Sequence, residues 1–214
     1  MRKAAILDVV ILLVIFWSIW ALRFVEVGHS GALTVGVGGL VGIFLIRRRN
    51  IAWAEIGFRA PRRADLRLSF EAAGVVGLTY LAAPLIISVF GPMSPSSAIT
   101  DQPTDLLGFL VDILIFTWLA AGLGEEFFFR GVLFHRLRDF LGGGVVAVIA
   151  AAGLQAVWFG AAHVSQGLSG MVLTGLMGFG LGLFFCFRAE RSLFPLILAH
   201  AAINTAVLSF SYFG

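Results

Sequence analysis

The sequence predicts an all-α fold: a polytopic membrane helix bundle of about seven transmembrane helices around a polar intramembrane cavity. Three observations predict it. The chain of 214 residues is 59% hydrophobic, with a mean hydropathy of +0.98. Only 13% of its residues are charged, against about 25% in a soluble domain. The apolar residues come in blocks close to the roughly 20 residues that cross a hydrocarbon core.

The first block runs from Ala4 to Leu22 behind Arg2 and Lys3. A signal peptide starts the same way but has a shorter apolar region ending at small residues. Here the run is full length and ends in Trp20-Ala21-Leu22-Arg23, so it is read as a retained helix. The second block, Gly31 to Ile46, sets Gly38 and Gly42 at the small-xxx-small spacing that favours close helix packing. It stops at Arg47-Arg48-Arg49. In the segment on to Arg67, Ile51, Trp53, Ile56 and Phe58 predict a short amphipathic helix lying in the interface.

A third span covers Leu68 to Phe90, followed by a turn-rich loop without basic residues, Gly91 to Ser97 and Asp101 to Pro103. The fourth helix starts near Leu106 and reaches Arg136 and Arg138. Gly142-Gly143-Gly144 breaks the chain before the fifth block, Val145 to His163. A polar bend at Ser165 to Gly170 precedes the sixth, Met171 to Phe187, and Leu193 to Tyr212 makes the seventh. Residues 1–105 thus hold helices one to three, and 106–214 hold helices four to seven, as one integrated membrane domain. With the N-terminus cytoplasmic, 14 of the 15 basic residues fall on the cytoplasmic side or within the membrane near it, leaving only Arg23 outside. The same bias accounts for the pI of 9.7, so no nucleic-acid partner is expected. Cys186 is the only cysteine, which excludes an intramolecular disulfide and a Cys-based zinc cluster.

Against this background Gly124-Glu125-Glu126-Phe127-Phe128-Phe129-Arg130 stands out. A charge at the bilayer centre costs roughly 2.5–3.5 kcal/mol on insertion scales. Glu125 lies 11 to 13 residues before Arg136 and Arg138, roughly 16–20 Å deep on an α-helix. Glu126 and Arg130 are four apart and pair on one face. Glu125 points about 100° away and has no partner in its own helix. Two later spans add His163, at the close of the fifth block, and His200 with Asn204 one turn on in the seventh. Intramembrane ionisable groups face one another or a water-filled cavity, so these residues are expected to form one site. A straight fifth helix from Val145 would carry His163 to the outer face, so convergence requires a late start or a bend near Gly153 and Gly160.

Together these residue types suit amide hydrolysis. Glu125 and His163 would activate water and pass its proton to a leaving amine. His200 and Asn204 would stabilise the oxyanion, and Arg130 would keep Glu126 ionised. A second arrangement stands open beside it: Glu125 or Glu126 with His163 and His200 supplies the ligand set of a catalytic zinc. Against a permanent metal stand the lack of a His-Glu-x-x-His and the positive charge of Arg130.

Glu125-Glu126 with Arg130, Phe159 with His163, and His200 with Asn204 resemble, intact and in order, the three motifs of the CPBP family (CAAX proteases and bacteriocin-processing enzymes, also called Abi). The resemblance covers about Leu106 to Phe213. It implies an α-helical intramembrane endopeptidase with a cavity opening to the cytoplasm. The substrates it implies are membrane peptides or proteins: prenylated CAAX proteins in eukaryotic members, bacteriocin leader peptides or self-immunity in bacterial ones. In a bacterium the chain would sit in the cell membrane.

Two other readings compete. Gly167-Leu168-Ser169-Gly170 fits the Gly-x-Ser-Gly of a serine intramembrane protease, although it also reads as a polar turn. A transporter, or an immunity or scaffold protein, would use the same cluster as a proton relay or structural network, but no inverted repeat or pair of broken helices accompanies it.

Overall fold

The computed structural model describes residues 2–25, 30–94, 103 and 105–213. Of the expected loop after the third span, residues 95–102 lie outside the described residues. Seven helical spans are long and apolar enough to cross a membrane, and no strand occurs among the described residues. The helices are α1 (Arg2–Trp20), α2 (Ser30–Arg48), α3 (Arg63–Tyr80), α4 (Ala83–Phe90), α5 (Leu106–Leu141), α6 (Gly144–Ala162), α7 (Gly167–Phe187) and α8 (Phe194–Phe213).

Three local features depart from expectation. The third span is two helices, because Pro84 at the start of α4 has no N–H to continue the ladder of α3. The predicted interfacial helix is a single 3₁₀ turn, Trp53–Ile56, with Ile56 only 1% exposed. Its carbonyl packs against Gly131, and Trp53 and Phe58 each lie 6.1 Å from the ring of Phe127, so this turn caps the bundle instead of floating beside it. In α5, the stretch Asp112–Leu133 is wound as a π-helix, a form found mostly as single turns at functional sites.

The core forms around α5. Phe128 stacks on Phe16 of α1 at 5.0 Å, and Phe129 meets Phe159 of α6 edge-on at 5.0 Å. Gly38 and Gly42 of α2 admit this crowded face: a Cβ would fall 2.8 Å from the Phe128 ring and 2.9 Å from Val132. The small-xxx-small spacing therefore marks a real close approach. The α6–α7 pair is equally tight at Gly160, where a Cβ would lie 2.5 Å from the Met171 carbonyl. Gln155 ties the two helices by donating to the Gly178 carbonyl at 2.8 Å.

The helix ends that bear arginines share one end of the bundle. Asp8 of α1, fully buried, receives Arg49 at 2.8 Å and Arg136 of α5 at 2.8 Å. Arg188 after α7 pairs with Glu71 of α3 at 2.7 Å, and Arg62 with Glu190 at 3.0 Å. From this end α5 turns into α6 through Gly142, Gly143 and Gly144, all at positive φ, a conformation that only glycine adopts without strain.

Candidate active site

The site is built where α5 crosses α8. Gly122 makes the crossing close, since a Cβ there would stand 2.9 Å from that of Ala201. One turn further along α5, Oε1 of Glu126 accepts Nη1 of Arg130 at 3.1 Å, and both side chains have no exposure. The in-helix pair expected from their spacing is therefore present. The same oxygen lies 2.9 Å from Nδ1 of His200 on α8. A carboxylate only accepts, so Nδ1 carries a proton, and in the neutral imidazole the lone pair is then on Nε2.

Nε2 faces Oε2 of Glu125 at 4.0 Å, too long for a direct hydrogen bond. Oε2 of Glu125 is buried without a partner. The two glutamates thus lie on either side of one imidazole. An α-helix separates consecutive residues by 100°; the wider π winding reduces that angle and turns both acids toward α8.

His163 ends α6, and its ring reaches back 2.7 Å to the carbonyl of Phe159. This again protonates Nδ1 and leaves Nε2 as an acceptor. No hydrogen bond among the described residues joins it to Glu125. It stays near the cluster through Phe159, whose ring lies 4.8 Å from the His163 ring and 4.5 Å from the Arg130 guanidinium. The helix needs no late start: α6 begins at Gly144, and its level against α5 brings Phe159 alongside Arg130. Asn204, half-buried one turn beyond His200, forms no hydrogen bond among the described residues. The structure thus joins Glu125, Glu126, Arg130 and His200 directly, and His163 at one remove.

Residues 107–206 match the family model described as type II CAAX prenyl endopeptidase, Rce1-like. The match contains all six residues singled out in the sequence and bears out the resemblance to the CAAX proteases read from them. The family is one of membrane endopeptidases, which fits the seven spans of an integral multi-pass protein. No curated protein and no solved structure matches the chain.

The residues as arranged do not fit a three-ligand zinc centre. Among the described residues no three His, Cys, Asp or Glu side chains come together to hold a metal ion. Oε1 of Glu126 is shared between Arg130 and His200, its Oε2 is buried without a partner, and Glu125 and Nε2 of His200 form a facing pair. Ser169, the alternative nucleophile, is fully buried and donates to the carbonyl of Gly91. It ties α7 to the end of α4, with Ser94 and Gln166 bonded at 3.0 Å beside it. An apolar groove also runs along α5 and α8, one turn from the cluster on each helix at Leu123 and Ile197. Sequence reasoning missed Asp8, whose signal was a lone carboxylate in an otherwise apolar span.

Proposed function

We propose that the chain hydrolyses peptide bonds of membrane-associated or lipidated substrates, with water activated at Glu125. One observation carries this reading: His200 is held by Glu126 at Nδ1 and turned toward the unpartnered carboxylate oxygen of Glu125 at Nε2. A polar contact beyond 3.5 Å is one that a water can bridge, and with the imidazole neutral both flanking atoms accept protons. Glu125 takes the proton of that water as general base. A His–carboxylate pair that fixes tautomer and orientation is the device used for proton transfer in triad enzymes, and Glu126–His200 supplies it here. Arg130 holds Glu126 in place for that purpose.

His200 thereby takes the partner role that the residue types alone suggested for His163. Glu125, once protonated, returns that proton to the leaving amine, and Nε2 of His163 is the acceptor available to relay it. The Asn204 amide is a donor suited to the developing oxyanion. The segregation of arginines to one end of the bundle supports a cytoplasmic N-terminus. CAAX-type prenylated proteins are the substrate class that the family match suggests.

The test is cleavage of a membrane-embedded reporter peptide, prenylated and unprenylated, by purified protein. Cleavage by the parent and its loss in Glu125→Gln support the reading. A folded parent that cuts neither peptide leaves the cluster with a binding or relay role.

A further inference from the structure

Alongside the polar cluster, on the lipid-facing side of the α5–α8 seam, runs a groove of about 770 Å³. Leu119 and Leu123 of α5 and Ile197 and Leu198 of α8 line it, and the loop Gly57–Pro61 closes one end. That volume lies within the roughly 300–1,000 Å³ of pockets that bury small ligands. A groove with these walls takes hydrocarbon, and its place on a membrane-spanning seam makes lipid the available source.

The closed end is cationic. Arg59 lines it, with its guanidinium held on Asp65 by bonds of 3.0 and 3.1 Å. Arg63 opens α3 two residues beyond Pro61. The Arg191 carbonyl presses on Gly57, 2.6 Å from where a Cβ would stand. Across residues 57–65 and 188–193 five arginines meet only two carboxylates, Asp65 and Glu190. Glu71 takes Arg188, Asp65 takes Arg59 and Glu190 takes Arg62. Arg63 and Arg191 are left exposed and without a counter-ion among the described residues.

We propose that this groove is a binding site for an anionic phospholipid, with an acyl chain along the leucine walls and the phosphate against Arg63 and Arg191. Two unneutralised cations, each within two residues of a residue that lines this end (Pro61 and Leu193), select an anionic headgroup over a zwitterionic one. The chain would brace the α5–α8 crossing from outside, next to the turn that carries Glu126 and His200.

The experiment titrates purified protein in detergent with dioleoylphosphatidylglycerol or dioleoylphosphatidylcholine and counts bound lipid by native mass spectrometry. One phosphatidylglycerol retained per chain, with phosphatidylcholine washed away, is the expected result. The double variant Arg63→Gln with Arg191→Gln weakens phosphatidylglycerol binding about thirty-fold. Leu119→Trp, which fills the groove and leaves the arginines alone, also lowers retention. Equal retention of the two lipids, or unchanged binding in the double variant, overturns the proposal. Stoichiometric displacement by an isoprenylated peptide also overturns it, because the groove then belongs to the substrate. The readout is lipid retention, so it is unaffected by whether the protein cleaves peptides.

Discussion

Nδ1 of His200 lies 2.9 Å from the Glu126 oxygen that also receives Arg130 at 3.1 Å. A single carboxylate atom thus joins an in-helix neighbour four residues away to a side chain 74 residues away. It fixes the tautomer of His200 and locks the seam between α5 and α8 at the level of the chemistry.

Glu125 is the unpartnered acid facing that imidazole, and Glu125→Gln preserves shape while removing the base. Peptide cleavage is expected to fall by at least about 10²-fold, the usual contribution of a general base. The variant should purify and melt like the parent. Near-normal turnover would sink the assignment.

Arg130 has no exposure and partners Glu126. Removing one member of a buried ion pair leaves the other uncompensated, at a cost of roughly 3–5 kcal/mol. Arg130→Ala should therefore lower both the melting temperature in detergent and the activity. A variant that is inactive yet as stable as the parent would give Arg130 a direct role at the substrate.

Ser169 donates to the Gly91 carbonyl from a buried position. Ser169→Ala should cost about 1 kcal/mol of stability, the net worth of a typical hydrogen bond. The cleavage rate at a temperature where both proteins are folded should stay close to that of the parent. Complete loss of cleavage in folded protein would revive the serine nucleophile.

The donor set decides the expectation for metal. Glu125 and Nε2 of His200 face each other, and no group of three ligating side chains gathers among the described residues, whereas a catalytic zinc takes three protein ligands. Protein purified in chelator should keep its activity and carry well below one equivalent of zinc by elemental analysis. Stoichiometric zinc, lost together with activity in His163→Ala and His200→Ala, would make the chain a metalloprotease.

The sequence by itself determined the spans and the identity of the polar residues within them. Apolar length is a local property, so six of the seven blocks could be bounded to within a few residues of the helices observed. The pairing of Glu126 with Arg130 was also legible, because four-residue spacing acts within one helix. Pro84 is legible as well, and it divides the third span into two helices. Tertiary structure alone decided which histidine meets the glutamates. His163 and His200 carry the same chemistry, and the choice rests on α5 crossing α8 at Gly122 and Ala201. Only the fold could bury Ser169 under Gly91 and turn Glu125 toward His200. Those partners lie on different helices, and their approach follows from how glycine and phenylalanine faces pack, which hydropathy along a single chain does not encode.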